Sequence, residues 1–330
     1  MLKVLRYRTI LLLLAFIFAF IGSHSTKAQR DPFYSQYYLN PMIINPGFTG
    51  FGNTLSADLT VRQQWMGIEG APNSLYFSLH SPLNRTRVSL GVDLMRSQAG
   101  PLMNTHVGFN YSYMVRLADR VLMSLGMGVG VNQQALDFTD VVLANKSDPN
   151  FALPYMNQLV PVASVGGVVL TPIFYLSLSS PSIPLTYVNM EPDNSSSQPL
   201  KRHYYFTGGV TAPSLYKFVA KFSAMCRYVE KEDYVIDNTF QLIYKDFIGV
   251  GFNYRYANSY GAILRINANR NLSLVYSYDV PMAKEGYFTE PSHEITLSYD
   301  NFKLYKRNKY RNFKRKKEVE EEAYKSIRYF

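Results

Sequence analysis

Few residues of this chain have the types and spacing that support chemistry. Its five histidines (His24, His80, His106, His203 and His293) are scattered, without the spacing of metal ligands. The one cysteine, Cys226, cannot form an internal disulfide, and its place in a strand pattern predicts packing rather than thiol chemistry. Glu230, Glu232 and Asp233 are close enough for acid/base work, but they fall in an expected loop, where neighbouring acids are solvated. Gly126-Met-Gly128-Val-Gly130 looks like a fragment of a phosphate-cradling loop. No helix follows it and it sits in mid-strand, so its glycines read as small residues that relieve crowding. The residues therefore predict no catalytic group, no metal and no cofactor, and the chain is expected not to be an enzyme.

What the chain does carry is alternation. Ile248, Val250, Phe252, Tyr254 and Tyr256 alternate with Gly249, Gly251, Asn253 and Arg255. Tyr260, Ala262, Leu264 and Ile266 repeat the pattern, and so do Leu272, Leu274, Tyr276 and Tyr278. A period of two sends successive side chains to opposite faces, so each run is a strand with one apolar face. Each is about nine to ten residues long, enough for a tilted strand to cross a bilayer. If the strands run antiparallel, the tyrosines gather at one end above an aliphatic band, the outer surface of a membrane barrel. On that register Ser273 and Gly261 point inward and should accept polar substitution.

Fourteen such patterns are expected, at about 52–63, 73–80, 87–97, 104–117, 121–133, 160–170, 173–180, 202–211, 217–229, 235–245, 247–256, 259–267, 270–280 and 292–301. Alternate connections are short, while most of the others are long and turn-rich, above all 134–159, 181–201 and 281–291. Short turns on one rim and long loops on the other is the asymmetry of an outer-membrane barrel, with the short side periplasmic. The fold expected is all-β: a transmembrane antiparallel β-barrel of about 14 strands, with an N-terminal periplasmic segment and a basic C-terminal tail. The divisions are 1–28, a cleaved signal peptide; 29–51, a periplasmic or plug segment; 52–301, the barrel; and 302–330, the tail.

The ends explain the charge. Lys3, Arg6 and Arg8 precede an apolar run, Ile10 to Ile21, and small residues then lead to an expected cut after Ala28. Residues 1–28 carry +4 and residues 302–330 carry eleven Lys/Arg against four Glu, which leaves −1 of the +10 for the body. Between the signal and the first strand, Asp31-Pro32, Asn40-Pro41 and Asn45-Pro46 break up a stretch rich in aromatic residues, which suggests packing rather than a free linker. In the tail, Lys306, Arg307, Lys309, Arg311, Lys314, Arg315, Lys316 and Lys317 are interleaved with Tyr305, Tyr310 and Phe313. Aromatic residues among charges suit partner docking better than solvation alone. An exported chain would rarely meet nucleic acid, so none is expected as a partner.

Several blocks resemble the PorP/SprF family of type IX secretion system outer-membrane proteins. Gln29-Arg-Asp-Pro-Phe-Tyr-Ser-Gln-Tyr-Tyr-Leu-Asn40-Pro41, through Asn45-Pro46-Gly47-Phe48-Thr49-Gly50, is similar to that family's opening. Arg62-Gln-Gln-Trp65 with Gly70-Ala71-Pro72 matches its next block. Later matches are Arg202-His203-Tyr204-Tyr205, Gly249 to Arg255, Tyr276-Ser-Tyr-Asp279 and Ser292-His293-Glu-Ile295. The likeness spans nearly the whole chain from Gln29 to Asn301, and the basic tail matches no shared block.

The resemblance implies a non-enzymatic outer-membrane barrel, without cofactor, that serves protein secretion and, in gliding relatives, delivers surface adhesins. It implies as partners outer-membrane lipid, a periplasmic lipoprotein and its ring components, and secreted cargo or adhesin. Contacts would run through the loops, residues 31–50 and the tail, with both termini periplasmic. The alternative is a channel for small or apolar solutes. Truncation after Asn301 is expected to leave an inserted barrel while reducing co-purification of periplasmic partners; a truncated chain that keeps its partners and secretes normally would remove the docking role of the tail.

Overall fold

A spanning sheet in hydrocarbon must satisfy every backbone N–H and C=O within the protein, so it has to close. The computed structural model describes residues 34–83, 87–118, 120–139, 155–185, 201–215, 217–230, 234–282 and 290–301. Its strands are β1 (Leu55–Gln63), β2 (Asn73–Pro82), β3 (Val88–Ala99), β4 (Leu102–Ala118), β5 (Val121–Asp137), β6 (Tyr155–Leu170) and β7 (Phe174–Pro184). They continue as β8 (His203–Leu215), β9 (Phe218–Val229), β10 (Tyr234–Tyr244), β11 (Ile248–Arg255), β12 (Ser259–Asn267), β13 (Leu272–Pro281) and β14 (Ser292–Asn301). Each strand pairs antiparallel with its neighbours in sequence, and β14 returns to β1 with Leu55 opposite Asn301. The result is a closed fourteen-stranded barrel with no free edge.

The alternation sorts the faces as expected. Val250, Phe252, Leu264 and Leu274 are exposed on the outside, while Asn253, Arg255, Ser273, Ser277 and Asp279 are buried on the inside. In water so continuous an apolar surface would be a liability; around a closed barrel it is the lipid-facing belt. Tyr254, Tyr260 and Tyr278 stand together at the long-loop rim, and the exposed Tyr204 and Tyr228 stack there at 6.1 Å. Aromatic residues also collect at the short-turn rim, where Phe218 and Tyr244 pair at 4.9 Å beside the exposed Phe247. Tyr256, expected to continue β11, instead lies in the turn that follows it.

Boundaries shift for local reasons. β1 starts at Leu55 rather than near 52 because Phe51–Asn53 forms a 3₁₀ turn, with Gly52 at φ 84°. The β5–β6 hairpin runs beyond its expected ends, pairing as far as Asp137 with Tyr155. Its 17- and 16-residue strands exceed what a bilayer requires, so this hairpin projects past the belt.

The described part of the N-terminal segment takes the plug placement rather than the periplasmic one. Residues 34–53 lie inside the barrel, and Tyr34, Ser35, Tyr37, Asn40, Asn45, Phe48 and Thr49 are each 5 % exposed or less. The segment begins in the long-loop half of the lumen, beside the first turns of β13 and β14 read from that rim, and ends at the short-turn rim where β1 starts. The first and last described parts of the chain therefore lie in opposite halves of the barrel. Asn301 sits at the short-turn rim, whereas Ser35 is held in the opposite half by Glu294 and Asp279. The luminal placement also removes the described part of residues 31–50 as an outward contact surface. The expected signal peptide (1–28), residues 29–33 and the tail 302–330, with Lys306 to Lys317, lie outside the described residues.

Leu264→Arg or Leu274→Arg should destabilise the barrel by about 2–4 kcal/mol, because arginine is then forced into mid-bilayer. Ser273→Asn should be tolerated. Gly261→Ser, inward-facing as expected, will not be: its Cβ would come 2.2 Å from Asp279 Oδ1. Heat-modifiability gel shifts of the four variants test this ordering, and equal damage at Leu264 and Ser273 would contradict the register.

Candidate functional site

The lumen is organised by five charged side chains, each placed inward by the alternation of its strand. Arg62 (β1), Asp237 (β10), Arg255 (β11), Asp279 (β13) and Glu294 (β14) are all 4 % exposed or less. Arg62 Nη1 donates to Asp279 Oδ2 and Glu294 Oε2, both at 2.7 Å. Arg255 Nε donates to Asp237 Oδ2 at 3.1 Å, and Asn253 Nδ2 donates to Asp237 Oδ1 at 2.6 Å. Two cations against three carboxylates leave an excess of acceptors, and the N-terminal segment supplies the missing donors.

Ser35 and Gln36 fill that role. Ser35 N donates to Glu294 Oε2 and Gln36 N to Glu294 Oε1, both at 2.9 Å, so one carboxylate grips two successive backbone amides. Ser35 Oγ donates to Asp279 Oδ2 at 2.5 Å and accepts from Arg255 Nη2 at 3.0 Å. Gln36 Nε2 donates to Glu294 O and Ser277 Oγ. Charge-assisted bonds of this kind are roughly twice as strong as neutral ones. Removing one partner would leave a buried charge uncompensated.

Further along, the segment is fastened by short polar side chains. Asn40 and Ser78 exchange hydrogen bonds at 2.9 and 3.1 Å. Asn45 Oδ1 accepts from Gly47 N at 2.7 Å, while its Nδ2 donates to the backbone oxygens of Gly167 and Leu178. Ser179 Oγ donates to Ile44 O, Ser112 Oγ to Thr49 O, and Gly50 N donates to His80 Nδ1. Pro41 and Pro46 begin 3₁₀ turns that fold the segment back on itself between these anchors.

Apolar contact completes the seat. Tyr37, Tyr38 and Ile44 pack against Met225, Ile263 and Val275 of the wall, and Phe48 against Val168, Leu170 and Tyr175. Phe48 meets the Tyr175 ring edge-on at 5.8 Å. Each buried aromatic ring contributes on the order of 2–3 kcal/mol. The wall makes room with glycine: a Cβ on Gly166 would lie 2.0 Å from Asn45 Oδ1, and one on Gly126 2.3 Å from Gly47 N. Of the mid-strand glycine run, Gly126 relieves a crowded contact with the segment, while Gly128 and Gly130 make room for residues of the neighbouring strands, Ser164, Asn110 and His106 among them.

The motif residues separate into groups. Asn40, Pro41, Asn45 and Pro46 belong to the luminal segment. Trp65, at φ 47°, donates its backbone N–H to Ser292 Oγ, and Met66 N donates to Pro291 O. Gly70, at φ 70°, accepts from Gly100 N, Pro72 accepts from Gln64 N, and Ala71 is buried. This block ties the β1–β2 connection to β14 and to the β3–β4 turn at the long-loop rim. His203 points inward and stacks on Tyr205, whereas His293 points outward, its Nδ1 2.7 Å from the Tyr276 hydroxyl. His106 pairs with Asp93 at 3.1 Å, and Cys226 lies half-buried on the outer face. The ion cluster was missed as a site: inward parity combined with charge places its five residues in the lumen, as it does Asp58, Lys221 and Arg227, without showing which of them meet.

Glu294→Ala should lower stability by about 3–5 kcal/mol, since Arg62 and two backbone amides lose their acceptor. Gly166→Val should loosen the segment by displacing Asn45. Thermal gel-shift curves, with limited proteolysis of residues 34–53, measure both. Wild-type melting and protection in Glu294→Ala would contradict the role given to the cluster.

The family model described as type IX secretion system membrane protein PorP/SprF matches residues 26–299. No curated protein matches the chain. Among solved structures, the Acinetobacter baumannii outer membrane protein Omp33 is similar at 5 % identity and TM-score 0.46, over 76 % of this chain and 98 % of that one. The Ralstonia pickettii toluene transporter TbuX is similar at 11 % identity and TM-score 0.46, over 79 % and 92 %. The KdgM porin is similar at 10 % identity and TM-score 0.38, over 74 % and 98 %.

Proposed function

Since this chain belongs to the PorP/SprF family of type IX secretion system membrane proteins, we propose that it is a non-enzymatic outer-membrane scaffold of that system, working through protein contacts rather than conduction. The observation that carries this reading is the luminal segment itself. It crosses the barrel from the long-loop half to the short-turn rim and is bonded to wall strands along its path. A solute channel keeps a wet polar lumen; here the apolar patches of the wall are covered by Tyr37, Tyr38 and Phe48.

With residues 34–53 buried, contact falls to the rims and the tail. The short-turn rim, periplasmic by the loop asymmetry of such barrels, would face the periplasmic lipoprotein and ring components. The long-loop rim would face cargo or adhesin. The basic residues Lys306 to Lys317 would speed encounter with an acidic partner more than they add affinity.

Purified protein in planar bilayers tests the reading. The wild type should be electrically silent, and an Arg62→Ala, Glu294→Ala double variant should open steady conductance as the segment is released. Substrate-dependent conductance in the wild type would instead establish a channel.

A further inference from the structure

The short-turn mouth holds a second charged chamber, built differently from the ion cluster. Lys221 on β9 points inward and is 7 % exposed. Among the described residues it forms no hydrogen bond or ion pair, unlike Arg62 and Arg255, each of which has a carboxylate partner. It opens on a cavity of about 480 Å³ whose wall also includes Lys245, Arg265, Arg270, Asp246 and Asp300. Asp58 lies near this mouth, inward on β1 and diagonal to Asp300. Even with Asp58 counted, four cations face three carboxylates.

Asp246 acts on Lys221 across the chamber without bonding to it; a buried lysine with no bonded counter-charge holds its proton at a cost, and an anion brought to it is correspondingly favoured. The wall excludes one source of that anion. Lys221 and Arg265 face the lumen, so lipid headgroups on the outer face cannot reach them, and a ligand has to enter through the mouth. The cations also sit on separate elements: β9, the β10–β11 turn, β12 and the β12–β13 turn. One small anion cannot meet a set spread around the wall, whereas carboxylates spaced along a chain can. Asn267 and Ser273 add polar lining, and the volume suits a few acidic side chains.

We propose that this mouth is a binding site for an acidic peptide segment, with Lys221 as its buried anchor and Arg265 as a second carboxylate ligand. The site depends on the chamber alone and not on whether the lumen conducts, so it can fail while the scaffold reading stands, and the reverse.

The test uses the full chain in detergent and a fluorescent hexaglutamate peptide read by anisotropy. The basic tail can also attract this probe, so the variants decide. Lys221→Met should weaken binding about tenfold or more, as expected for loss of a charge-assisted bond, and Lys221→Arg should restore most of it. Heat-modifiability confirms that each variant is folded. If the wild type binds nothing but a chain with Glu318, Glu320, Glu321 and Glu322 all changed to Gln does, and Lys221→Met abolishes that gain, the site stands with the chain's own acidic block as its occupant. Equal binding by wild type and Lys221→Met, displacement by an equimolar amount of inorganic phosphate, or no binding by either chain would overturn the proposal.

Discussion

The grip of Glu294 on the backbone of Ser35 and Gln36 is the interaction on which the rest of the interior depends. A carboxylate on the dry side of a barrel strand is costly unless its lone pairs are filled. Arg62 fills one, and two successive amides of the N-terminal segment fill others. Asp279 and Arg255 are tied to the same point through the Ser35 hydroxyl. Wall and segment therefore complete each other electrostatically, and neither has a satisfied interior alone.

Once the segment is fixed at Ser35, the choice of wall residues follows. Inward positions are serine, threonine, asparagine or glycine where the segment passes closely, as at Ser78, Ser179, Gly126 and Gly166. They are apolar where an aromatic ring must be seated, as at Ile263, Val275, Val168 and Leu170. The outward positions of the same strands obey only the bilayer. One alternation thus answers to two solvents, lipid outside and the chain's own segment inside. The chamber that Lys221 lines at the short-turn mouth has no residue of that segment in its wall.

Much of this architecture could be read from the residues. The barrel was legible because a period of two is local: Val250 and Asn253 declare their faces without reference to other strands. Register followed for the same reason, and short connections at alternate turns marked one rim. The ion cluster was not legible, because Arg62 and Glu294 are 232 residues apart and meet only when β14 closes on β1. Inward charges also fit a water-filled pore equally well. The aromatic content of residues 34–51 signalled packing, but nothing local distinguishes the lumen from a surface groove. Gly261 shows the same limit: its inward parity was evident, while the Asp279 carboxylate against it was not.

The central claim is that residues 34–53 fill the lumen of the barrel in the membrane. It is tested most directly by thiol cross-linking in a Cys226→Ser background, with Asn40→Cys combined with Ser78→Cys. Those two side chains touch inside the barrel. The account predicts efficient cross-linking of this pair by a short bifunctional reagent in intact outer membranes, and none when Asn40→Cys is paired with the outward-facing Leu79→Cys. Absence of the first product, or equal yields of both, would contradict it.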